Sequence, residues 1–74
     1  MKMKASDYKL PKSELEHLID EWIFNERNRA IVKKRLFDEE HIDRIAEIFS
    51  LSDQQVKNII NEAHEILCSV VFPK

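Results

Sequence analysis

Ile42-Asp43-Arg44-Ile45-Ala46-Glu47-Ile48-Phe49-Ser50-Leu51-Ser52-Asp53-Gln54-Gln55-Val56 is the stretch that carries the fold. Its first half predicts a short helix from about His41 to Phe49, burying Ile42, Ile45, Ala46 and Phe49 at helical spacing. Ser50-Leu51-Ser52-Asp53 then turns the chain. Ser52-Asp53-Gln54-Gln55 is a capping box with Gln in the N3 position, so a new helix starts there. It runs from about Asp53 to Cys68 on a stripe of Val56, Ile59, Ile60, Ala63, Ile66 and Leu67. The two helices are expected to cross steeply. Ala46 is small enough to permit close approach, Leu51 plugs the corner and Val56 fills the space between them. The outer face of the second helix is then free to enter a major groove.

Working outward, Asn25 caps a helix over about Glu26 to Phe37, with Ala30, Ile31, Val32, Leu36 and Phe37 as its apolar contacts. Before it, Ser13-Glu14-Leu15-Glu16 reads as another capping box, opening a helix over about Glu14 to Phe24. Leu15, Leu18, Ile19, Trp22 and Ile23 form its single buried stripe. Val70, Val71 and Phe72 are expected to close the core against this first helix, and Pro73 prevents continuation. The prediction is an all-α, four-helix domain over 13–74: a tri-helical core containing a helix-turn-helix, plus an N-terminal helix. Residues 1–12 are expected to form a flexible basic arm.

Composition supports helices and narrows the function. The 74 residues contain no Gly and only two Pro, whereas strand-rich folds need tight turns. A chain this short buries only about 60% of its unfolded surface, so a large enclosed substrate cavity is not expected. Cys68 is the only cysteine, which excludes an intramolecular disulfide and makes a reducing, cytoplasmic setting the default. No apolar run approaches the roughly 18 residues of a membrane span, and no signal peptide is expected.

The net charge of −2 conceals strong segregation. Lys2, Lys4, Lys9 and Lys12 make the arm basic. Glu14, Glu16, Asp20 and Glu21 make the first helix acidic. Arg27, Arg29, Lys33, Lys34 and Arg35 oppose only Glu26 in the second. Asp38, Glu39, Glu40, Asp43 and Glu47 outnumber Arg44 in the third, and the fourth is also net acidic.

The segments Arg29–Leu36, Ile42–Ser52, Val56-Lys57 and Ala63–Leu67 together resemble the fourth conserved region of bacterial sigma factors. They also resemble the related response-regulator and phage transcription-factor domains. The likeness covers roughly 25–67, and a free-standing chain of this size is not expected to be a complete sigma factor. The resemblance implies a phage- or mobile-element-type transcription regulator that binds double-stranded DNA through the helix beginning at Ser52. It places Gln54, Gln55, Lys57, Asn58 and Asn61 as base readers. Asn and Gln amides can pair bidentately with adenine. Lys33, Lys34, Arg35 and Arg44 are the phosphate candidates, and the arm lysines could reach an adjacent phosphate or a minor groove. A homodimer would double the contact area one small module supplies.

The alternative on the same fold is a protein-interaction module, an inhibitor or adaptor whose acidic helices face a basic surface such as that of RNA polymerase or a nuclease. Its motive is the net acidic charge of the third and fourth helices. The DNA reading is also weakened where family members often carry Arg or Lys and this chain has Ile59 and Glu62. Their loop before the third helix usually has Gly, where this chain has Glu39 and Glu40. His64 and Cys68 stand four apart, a spacing that can hold a metal, but a structural zinc site needs four ligands. They read as a surface His and a partly buried thiol. His17 and His41 have no partner evident in sequence, and Trp22 reads as core. Catalysis would need a nucleophile with its base, a metal cluster or a Gly-rich phosphate loop. The chain is therefore expected to be neither an enzyme nor a cofactor-binding protein.

Overall fold

The computed structural model describes residues 8–73, and its elements are four α-helices: α1 (Lys12–Trp22), α2 (Glu26–Phe37), α3 (Ile42–Phe49) and α4 (Asp53–Val71). The all-α, four-helix class is as predicted. The last helix packs against each of the other three. One apolar cluster unites Leu15 and Ile19 of α1, Ile31, Val32 and Leu36 of α2, Ile45 and Ala46 of α3, and Val56, Ile60, Ala63 and Leu67 of α4.

The turn between α3 and α4 is tight without glycine. Ser50 takes the left-handed conformation (φ 56°), its N–H reaching the Glu47 carbonyl at 3.4 Å. The Leu51 N–H reaches the Ala46 carbonyl at 2.8 Å, which completes a Schellman closure. Leu51 packs partly buried against the core, as its corner-plugging role requires. Ser52 then caps α4: its Oγ accepts from the Gln55 N–H at 3.1 Å, and Gln55 Oε1 accepts from the Ser52 N–H at 3.0 Å. Ser52→Ala is expected to cost about 1 kcal/mol, whereas Ser50→Gly removes a left-handed penalty and is expected to be neutral or stabilising. Urea denaturation of both variants checks the pair, and a stabilised S52A would contradict the capping box.

Glu39, in the loop before α3, also has a positive φ, of 52°. A residue with a Cβ thus holds a backbone shape that glycine would adopt more easily. Asn25 caps α2 as predicted, accepting from the Asn28 N–H at 3.1 Å.

Four expectations are corrected. The Ser13 capping box does not form: Pro11 is the N-cap of α1 without a side-chain bond, so the helix begins earlier and Ser13 lies inside its first turn. Proline suits this boundary because the N–H it lacks would have no helical partner there. Trp22 is 43% exposed and Phe24 83%, so the helix ends before its apolar spacing does and neither ring is core. The fourth helix continues to Val71, and while Val70 and Val71 share a hollow with Leu10, Glu14 and Leu18, Phe72 is 48% exposed. Finally, the segment before α1 is not free throughout. Tyr8 is only 1% exposed and belongs to the core cluster, so the packed domain begins before residue 13. Lys2 and Lys4 of the expected arm lie outside the described residues.

Candidate nucleic-acid interface

The buried stripe of α4 (Val56, Ile60, Ala63, Leu67) turns its opposite surface outward. All five residues expected to read bases, Gln54, Gln55, Lys57, Asn58 and Asn61, are exposed. They are not equivalent. Gln55 spends its carbonyl oxygen on the capping box. Gln54 Nε2 donates to Asn58 Oδ1 at 3.0 Å, one helical turn on. That bond leaves Gln54 Oε1 as an acceptor and Asn58 Nδ2 as a donor, the complement of the N6 and N7 groups on an adenine edge.

The phosphate candidates divide. Arg35 at the end of α2 donates through Nη1 to the Glu40 carbonyl at 2.8 Å. It shares a hollow of about 110 Å³ with Ile42, Lys57, Ile60 and Asn61. Arg44 is exposed on α3 and Lys34 is half-buried on α2. Lys33 turns instead to α1, where its Nζ lies 2.8 Å from Asp20 Oδ1. Lys12 opens α1, with its Nζ 5.3 Å from the centre of the Phe37 ring. That is a cation–π contact within the domain rather than a place on an arm.

No protein family, curated protein or solved structure matches the chain.

The site is accordingly read from its own geometry and charge. The Lys33 hydrogen bond holds the Asp20 carboxyl below the ordinary aspartate range, and the charges of Lys33, Arg29 and His17 add to this against an opposing desolvation. The folded value lies below the unfolded one. The pair's contribution is therefore present above the unfolded value and is lost as pH falls through the folded one. Asp20→Asn is expected to remove a small contribution at neutral pH and to flatten the acid-side loss of stability by the same small amount, since Asp20 is exposed and Lys33 half-buried. Acid unfolding followed by circular dichroism checks this, and an unchanged acid slope would dissociate Asp20 from the effect.

Two histidines have partners that sequence spacing alone did not assign. His17 Nε2 lies 3.7 Å from Glu21 Oε2, one turn along α1, so a signal was present in the i, i+4 spacing. His64 is half-buried rather than superficial. Its Nδ1 is hydrogen-bonded to the Tyr8 hydroxyl at 2.8 Å, and Cys68 Sγ lies 3.5 Å from its Nε2. Among the described residues no group of three or more His, Cys, Asp or Glu could hold a metal ion, and no helix is long and apolar enough to cross a membrane.

Proposed function

We propose that this protein is a small regulator of transcription that binds double-stranded DNA by presenting α4 to the major groove. The observation that carries the reading is the joint exposure of the Gln54–Asn58 amide pair with Lys57 and Asn61 on α4, beside Arg35. Amides supply a readable edge, and cations beside them supply affinity for the backbone. The likeness of 25–67 to the fourth region of sigma factors supports the same helix as the reader. No catalytic step or cofactor enters this function, and a homodimer on a two-fold site would enlarge the small footprint of one copy.

Binding of labelled genomic fragments, followed by fluorescence anisotropy over a salt series, tests the proposal. The expected result is saturable binding whose logarithm falls linearly with that of salt concentration. Absent binding at low salt, or salt-insensitive binding, would overturn it.

A second reading, the protein-interaction module, is favoured by one specific feature: Trp22, Phe24 and Phe72 are large apolar side chains left in solvent. Ile59 packs half-buried against the core, so charging it would confuse binding with stability. Glu62 and Glu65, both exposed on α4, are the better pair to reverse. If the natural chain ignores DNA and Glu62→Arg with Glu65→Arg binds it, the chain has the fold without the DNA-binding activity, which favours the protein-binding reading.

A further inference from the structure

The hollow beside α4 has a chemistry distinct from that of the amide pair. It is lined by Arg35, Lys57 and Asn61 together with Ile42 and Ile60. No carboxylate lines it. Neither Lys57 nor Asn61 makes a side-chain hydrogen bond or ion pair among the described residues, so their donors are available. Arg35 is half-buried, and its bond to the Glu40 carbonyl anchors one end of the fork while its remaining N–H groups stay open. Lys57 and Asn61 are one helical turn apart, on a stripe adjoining that of Gln54 and Asn58.

We propose that this hollow is a seat for a single phosphate group. A base edge mixes donors and acceptors, whereas a phosphate offers only acceptors and carries charge, and two of the three polar residues around this hollow are cations that can only donate. The space, about 110 Å³, is on the scale of one tetrahedral oxyanion rather than a whole nucleotide. The inference rests on the duplex-binding reading for the source of its ligand, a backbone phosphate. It moves Lys57 and Asn61 from reading bases to fixing register, and leaves Gln54 and Asn58 to face the base edges. The anchored guanidinium is preorganised, so ordering on arrival falls mainly on Lys57 and Asn61.

Two measurements on the full chain test this. In the first, inorganic phosphate alone is titrated while the side-chain NMR signals of Arg35 Nε and Asn61 Nδ2 are followed. They are expected to shift saturably in the natural chain and to lose most of that response in Lys57→Gln. Movement of the Asn61 amide no greater than that of Asn25, at the far end of α2, would overturn the seat. In the second, duplex affinity is measured against salt for the natural chain, Arg35→Gln, Lys57→Gln and the distant control Arg27→Gln. Arg35→Gln and Lys57→Gln are each expected to lower the salt slope by about 0.9 and weaken binding roughly fivefold or more at moderate salt. Lys57 is exposed and has no side-chain partner among the described residues, so its variant keeps the test valid if Arg35→Gln loosens the α2–α3 loop. If the duplex binds with the same slope in both variants, the seat is wrong and the DNA reading stands. If phosphate fills the hollow but no duplex binds, the seat stands and the DNA reading falls.

Discussion

Ile45→Ala is expected to lower stability by about 2–5 kcal/mol and, with it, to abolish any activity of α4. Ile45 is fully buried in α3 beside Ala46, and both join Val56 of α4 in the apolar cluster. Truncation removes apolar contact and leaves a cavity that short helices on a tight turn cannot readily collapse around. A chain of this length has a total stability of only roughly 4–11 kcal/mol, so the loss consumes a large part of it. Guanidinium denaturation followed by far-ultraviolet circular dichroism measures the effect as a fall in midpoint at constant slope. Ala46→Leu probes the same contact from the other side, because overpacking there should cost about 1–3 kcal/mol. An Ile45→Ala chain within about 0.5 kcal/mol of the natural one would mean that α3 does not depend on this packing, and the helix pair would lose its structural basis.

The second large effect is expected at Tyr8. Tyr8→Ala should cost about 3–5 kcal/mol, and Tyr8→Phe only about 1 kcal/mol. The difference separates the ring from its hydroxyl. The ring is buried in the core and meets the His64 ring edge-on, with centroids 5.8 Å apart at 67°. The hydroxyl bonds to His64 Nδ1, but His64 is half-buried and its nitrogen can turn to water when the partner is lost. Thermal unfolding of both variants decides between a packed N-terminal segment and a dispensable one. A Tyr8→Ala protein as stable as the natural chain would restore the boundary at residue 13.

How far the fold can be read from sequence depends on the range of the forces at each place. Local hydrogen bonding is written in short motifs, so the bounds of α2, the Asn25 cap and the Ser52–Gln55 box follow from a few neighbouring residues. The Ser13 motif has the same spelling and fails, because Pro11 starts the helix two residues too soon for Ser13 to be its cap. Trp22 fits the helical spacing as well as Leu15 does, yet at the end of α1 it is left 43% exposed. Periodicity specifies which side of a helix is apolar, and it says nothing about how far along the helix a partner extends.

The interface divides in the same way. Exposure of Gln54, Gln55, Lys57, Asn58 and Asn61 follows from the buried stripe of α4 and needs nothing beyond the sequence. The grouping of Arg35 with Lys57 and Asn61 crosses from α2 to α4, and the removal of Lys33 to Asp20 crosses from α2 to α1. In sequence Lys33, Lys34 and Arg35 form one run. Helical geometry sends them to different sides, so only packing could separate the cation held by a carboxylate from the one left facing a hollow.

The amino-acid order alone thus determined the helical class, the turn at Ser50–Ser52 and the outward face of α4, because hydrogen bonds within a turn and apolar spacing along a helix are both local. Tertiary structure decided that Tyr8 is core, that Trp22 and Phe72 are not, and which basic side chains remain available to a ligand. Those outcomes depend on which surfaces of distant segments meet, and burial and charge pairing are settled only at that meeting.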